Sequence, residues 1–164
     1  MSRTSTARIA GVAFLLYPSA GIASMMAAGH PSVTNLLTVV MSFCALTLGV
    51  TLWALTREVD QVLAMLGMVC RVIEAAPGPG EIYFAVGSLL FSWLLLRGRM
   101  IPIALAWLGV IASTFLVVLL TVQLAGLFGG ASAWSSPITW FLWLPMLVFE
   151  VLLALWLLTK GVRA

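Results

Sequence analysis

The sequence predicts an all-α, polytopic transmembrane helix bundle, and three observations carry that reading. Of 164 residues, 63% are hydrophobic and 8% charged, with mean hydropathy +1.17, whereas a soluble domain carries about a quarter charged residues. Two stretches, Ile9 to Thr56 (48 residues) and Met100 to Phe149 (50 residues), contain no Asp, Glu, Lys or Arg, and each has room for two spans of about 20 residues and a turn. Runs such as Leu116 to Leu120 and Val151 to Leu155 are apolar at successive positions, which excludes the period-two alternation of a membrane β-barrel.

With charged residues, Pro and Gly as punctuation, the chain divides into six spans within a single integral membrane domain, 1–164. The first, Arg8 to Ala28, follows Arg3 and Arg8 and contains Pro18 and Gly21. Those features also suit a secretory signal ending near Ala27-Ala28-Gly29, but the apolar stretch is longer than a usual signal core. The second runs from Val33 to Leu55. The third, Gln61 to Ala76, and the fourth, Ile82 to Leu96, are short against the usual minimum of about 17 residues, so each must borrow flanking residues or thin the bilayer. Between them Pro77-Gly78-Pro79-Gly80 forbids a continuous helix, because each Pro lacks a donor and restricts the residue before it. The fifth and sixth spans are Ile101 to Leu127 and Ile138 to Thr159. Trp134, Trp140 and Trp143 sit where an outer aromatic belt is expected, and read as interfacial anchors or, alternatively, as an aromatic ligand cage.

Charge placement tests the span count independently, since Lys and Arg near span ends stay on the cytoplasmic side. With the N-terminus inside, Arg3, Arg8, Arg57, Arg97, Arg99, Lys160 and Arg163 all fall inside, and Gly29 to Ser32, Pro77 to Glu81 and Phe128 to Pro137 contain no Lys or Arg. Six spans with both termini cytoplasmic follow, as expected of a multi-pass membrane protein. The basic residues are scattered, unlike a face that tracks a phosphate backbone, so nucleic acid is not an expected partner. Cys44 and Cys70 lack a His or second thiol at metal spacing and read as small buried hydrophobes. No cofactor or metal is expected.

Three ionisable residues remain within the spans: Arg71, Glu74 and Glu150. A charge at mid-membrane costs about 2.5 to 3.5 kcal/mol on insertion scales, so each demands compensation. At about 100° per residue, Arg71 and Glu74 fall on the same helix face as Gly67, which permits close approach of a neighbour. Three arrangements follow: Arg71 pairs with Glu74 and with Glu150 across helices; a carboxyl carries protons or cations; or Arg71 snorkels to the headgroups, about 8 Å away, and never meets Glu150. Glu150 lies about ten residues from either end of its span and needs a partner or a proton. Pro18 and Pro145 free the carbonyls of Phe14 and Phe141 one turn earlier, as kinks or as the lining of a cavity. His30 reads as a solvated turn residue, Asn35 and Gln123 as interfacial. No Ser-His-Asp set, phosphate loop or membrane His motif is present, and an enzyme is disfavoured.

Arg8-Ile9-Ala10-Gly11-Val12 with Leu15-Leu16 and Ala20-Gly21-Ile22, then Arg71-Val72-Ile73-Glu74-Ala75, then Glu150 to Leu158 before Lys160-Gly161-Val162 together resemble the bacterial membrane family called domain of unknown function 4386. The resemblance covers nearly the whole chain, which is shortened relative to usual members around Pro77 to Gly80. It implies a multi-spanning inner-membrane protein and carries over no activity. The expected function is that of a non-enzymatic bundle associating with itself, lipid or a membrane partner. The alternative is a small transporter or proton-coupled subunit using Glu74 and Glu150.

Overall fold

The computed structural model describes residues 2–76, 80–126 and 137–162. Six helices follow in chain order: α1 (Arg3–Met26), α2 (Pro31–Thr56), α3 (Gln61–Glu74), α4 (Gly80–Arg97), α5 (Ile103–Leu124) and α6 (Pro137–Thr159). The expected elements are all present. Five are long and apolar enough to cross a membrane, and the chain is a membrane protein built as a helix bundle. The helix α4 reaches 18 residues, borrowing Gly80 and Glu81 at one end and Arg97 at the other. The helix α3 does not lengthen. Its 14 residues rise only about 21 Å, short of a hydrocarbon core of about 30 Å. It ends at Glu74 rather than Ala76, and the Pro77-Gly78-Pro79 turn lies outside the described residues.

Local chemistry sets the helix starts. Ser2 accepts from the Ser5 N–H and caps α1, Asp60 accepts from the Leu63 N–H and caps α3, and Pro31 opens α2, where its missing donor costs nothing. Within the helices Thr47, Thr51, Thr56, Thr114, Thr121 and Thr159 each donate to the carbonyl four residues earlier. Hydroxyls satisfied in this way need no water or partner helix.

Each helix packs against its chain neighbour, and α1 also packs against α6, so the six close into a ring. Inward positions recur at helical spacing: Leu48, Leu52 and Leu55 on α2, Phe84, Ser88, Phe91 and Leu95 on α4, and Met146, Phe149, Leu153 and Leu157 on α6 are buried. Outward positions are also apolar. Val39, Phe43 and Val50 on α2 and Trp107, Ile111 and Val118 on α5 are exposed, as suits helices whose surroundings are hydrocarbon rather than water.

When both faces are apolar, hydrophobicity cannot drive helix pairing, and close approach of backbones takes over. Ala45, Gly49, Ser88, Ser92, Gly109 and Ser113 are all buried, as their spacing suggests. A Cβ on Gly49 would stand 2.9 Å from the Arg71 Cβ, and one on Gly109 would stand 2.5 Å from the Phe149 ring and 2.7 Å from the Ser92 hydroxyl. Gln123 continues the same inward stripe of α5 and is buried rather than interfacial. Asn35 and His30 are exposed.

Among the described residues the basic side chains other than Arg71 gather at one end of the ring. There Arg97 pairs with Asp60 at 3.3 Å and Arg3 with Glu58 at 3.6 Å, while the Arg57 guanidinium lies 5.0 Å from the Trp53 ring centre. These pairs are at least partly exposed and add little energy, but they tie α1 and α4 to the α2–α3 turn.

Overpacking a tight crossing costs about 1 to 3 kcal/mol or more. Gly109→Leu and Gly49→Leu should therefore lower the melting temperature in detergent, read by circular dichroism, while Gly29→Ala, with nothing within 4 Å of an added Cβ, should leave it unchanged. Unaltered melting of both leucine variants would show that these crossings are not tight.

Candidate functional site

The candidate site sits where α3 stops. Because α3 ends short of its neighbours, the half of the ring away from the basic residues encloses a cavity of about 680 Å³, lined by α1, α2, α4, α6 and the last residues of α3. Its walls are mostly apolar. Three carboxylates, Glu74, Glu81 and Glu150, line it, and no Lys, Arg or His does among the described residues. The backbone at Gly80 comes so near the end of α3 that a Cβ there would stand 2.8 Å from the Glu74 carbonyl, so the turn back into α4 needs glycine.

Beside the cavity lies a polar network assembled from three helices. Arg71 has no exposed surface. Its Nη1 donates to Glu74 Oε2 at 2.9 Å and its Nη2 to Ser88 Oγ at 2.9 Å. The Tyr17 hydroxyl donates to the other oxygen of Glu74 at 2.5 Å. The guanidinium also lies 4.7 Å from the centre of the Phe84 ring, within cation–π range. Tyr17 stacks on Phe84 with ring centres 5.8 Å apart at 6°, and Trp143 tilts against Phe84 at 5.6 Å. A buried guanidinium is thus answered by a charge, a hydroxyl and a π face.

Of the three sequence candidates, Arg71 and Glu74 pair as expected of an i,i+3 couple. Arg71 does not snorkel, because Tyr17, Ser88 and Phe84 enclose it. Its expected pairing with Glu150 is not formed among the described residues: Glu150 is 3% exposed, and its Oε1 has no hydrogen-bond partner. The reason is geometric. Arg71 Nη1 and Nη2 are already engaged by α3 and α4, whereas Glu150 projects from α6 at the cavity. Arg71 Nε is likewise unpartnered.

Below this layer Phe14, Phe91, Phe149, Leu52, Leu95 and Leu153 surround a void of about 10 Å³ together with Arg71 and Ser88. Such a space holds one water at most. The cavity is therefore blind toward the basic end.

Tyr17 and Phe84 are site residues that sequence reasoning did not single out. Trp143 packs against Phe84 and, with Trp140, lines the cavity, the position that the aromatic-cage alternative gives them. Trp134 lies outside the described residues. One signal did exist for Tyr17: a phenol at mid-span, beside Pro18, needs a hydrogen-bond partner. Both Pro18 and Pro145 lie inside helices, and Pro18 lines the cavity. Cys44 and Cys70 are buried and free, and among the described residues no group of three or more His, Cys, Asp or Glu is placed to hold a metal.

A family model described as Domain of unknown function (DUF4386) matches residues 78–161, just over half of the chain. The match covers α4, α5 and α6, and therefore Ser88, Phe84, Trp143 and Glu150 of the site. No curated protein and no solved structure matches the chain.

Removing one member of a buried ion pair costs about 3 to 5 kcal/mol, since the other charge stays uncompensated. Arg71→Gln and Glu74→Gln should each destabilise strongly, and the double variant should recover part of the loss. The coupling measured between Arg71 and Glu74 should exceed that between Arg71 and Glu150. Tyr17→Phe should cost about 1.5 to 3 kcal/mol, the range for a hydrogen bond to a charged group. Reversible unfolding in mixed detergent gives all of these quantities, and equal coupling of Arg71 to both acids would contradict the observed pairing.

Proposed function

This chain belongs to the DUF4386 family, and we propose that it is a non-enzymatic, multi-pass bundle of the plasma membrane that shelters a small lipid-like amphiphile in its cavity. The cavity itself carries this reading. Its volume of about 680 Å³ falls within the range of ligand pockets, roughly 300 to 1,000 Å³, and mostly apolar walls with a few polar groups suit a molecule having an apolar body and one polar head. Exposed Val, Ile, Leu and Phe side chains around the ring support association with lipid, and their breadth leaves room for self-association or a membrane partner.

The orientation rests on charge. Arg3, Arg57, Arg97 and Lys160 belong to one end of the bundle, and retention of Lys and Arg on the cytoplasmic side supports the reading that both termini lie there. The cavity then faces the extracytoplasmic half of the membrane.

A second reading, proton-coupled transport through Glu74 and Glu150, draws on the contact between the cavity and Glu150. Passage would require the phenylalanine layer to open. Binding needs no such rearrangement and is preferred.

Two measurements test the proposal. Reporter fusions after Ala164 and within Gly129 to Ser136 should report cytoplasmic and extracytoplasmic positions respectively, and the reverse result overturns the orientation. The full chain in phosphatidylcholine nanodiscs should bind octanol saturably above the background of empty discs. Gly21→Trp, which fills the cavity from α1 where an added Cβ meets only Met41 at 3.6 Å, should abolish that binding without loss of helix content. Failure of the parent protein to bind octanol overturns the cavity reading.

A further inference from the structure

The chemistry of the cavity lining defines its occupant more narrowly than size does. Glu74, Glu81 and Glu150 line the space, and among the described lining residues there is no Lys, Arg or His. The nearest cation, Arg71, is already engaged by Glu74 and Ser88 from beside the cavity. Glu150 is different. It is 3% exposed, its Oε1 lacks a hydrogen-bond partner, and it forms part of the cavity wall. Arg71 lies within electrostatic reach but donates no hydrogen bond to it among the described residues, and a buried carboxyl that is not hydrogen-bonded is costly, so it binds a proton or a cation.

Three features favour an organic cation over a metal ion. Among the described residues no group of three metal-binding side chains exists, and hard cations such as calcium take six to eight oxygen ligands. The lining also includes Tyr17, Phe84, Trp140 and Trp143, and aromatic faces stabilise ammonium groups through their quadrupoles. The remaining wall, from Pro18 and Ile22 to Leu144 and Leu147, accepts hydrocarbon.

We propose that the cavity takes a monovalent organic cation with an apolar body, its ammonium held by the Glu150 carboxylate and by the aromatic side chains of α1, α4 and α6. This rests on the reading of the cavity as a binding site and names the class of ligand. A proton on Glu150 in place of the ammonium is the competing state, and it predicts no preference for charge.

Octylammonium and octanol share a chain and differ in the head group, so their comparison isolates the charge. With the full chain in zwitterionic phosphatidylcholine nanodiscs, and empty discs as background, octylammonium should bind saturably and about tenfold or more tighter than octanol, each tenfold corresponding to about 1.4 kcal/mol. Glu150→Gln, which preserves size and removes the charge, should abolish that preference while leaving octanol affinity within about twofold, because interactions with the alkyl chain persist. Glu150→Asp, which keeps the charge, should retain a preference and serves as the comparison if the Gln variant melts early. Equal affinity of the parent for the two probes overturns the cation proposal and leaves the binding cavity standing. Retention of the full preference in Glu150→Gln overturns the role of Glu150. Binding of neither probe removes the cavity reading as well.

Discussion

A guanidinium with no exposed surface, inside a chain whose surroundings are hydrocarbon, imposes the strictest demand in this bundle. Arginine stays protonated in proteins, so the fold must supply the compensation. It does so from several helices at once: Glu74 from α3, Ser88 and Phe84 from α4, and, through Glu74, Tyr17 from α1. None of these groups can be moved by a turn without leaving a charge or a lone pair exposed to a low-dielectric interior, where such groups cost most. The register of α1, α3 and α4 is thereby pinned at one level of the ring.

Glycine makes that register attainable. Gly49 on α2 meets the stem of Arg71, and Gly87 on α4 lies against Cys70 and Gly67 on α3, with an added Cβ 3.2 Å from the Cys70 Cβ and 3.4 Å from the Gly67 carbonyl. The shortest helix is therefore held between two close neighbours. Close approach compensates for the missing hydrophobic drive, and it brings Ser88 within reach of the guanidinium. The aromatic group Tyr17, Phe84 and Trp143 then spans α1, α4 and α6 at the same level, separating the charge from the apolar remainder of the cavity.

The premature end of α3 shapes the other half of the molecule. Its neighbour α2 continues past the level where α3 stops and α4 begins near it, and the volume left between α1, α2, α4 and α6 becomes the cavity. Above the polar layer the ring is open enough to house a ligand, while below it Phe14, Phe91 and Phe149 fill the axis. One helix that is too short thus yields an asymmetric bundle, with a container at one end and a solid core at the other.

Much of this was legible in the chain. Composition alone demands a membrane environment; charge-free stretches and Pro-Gly punctuation mark six helices; small residues at i and i+4 on α2, α4 and α5 mark buried faces. The couple Arg71–Glu74 is readable because both ends belong to one helix, whose geometry is known in advance. The separation of Glu150 from Arg71, the burial of Gln123 and the choice between belt and cage for Trp143 were not readable, because apolar residues cover every side of these helices and hydropathy carries no rotational information. Which residues meet across the ring depends on the close crossings at Gly49, Gly87 and Gly109, and such packing is a property of several helices together. The sequence by itself determined where the helices run and that charge lies buried among them; only the tertiary structure decided that Arg71 turns to Glu74 and Ser88, leaving Glu150 at the cavity wall, because the tight crossings set the distance between helices and that distance selects the partners.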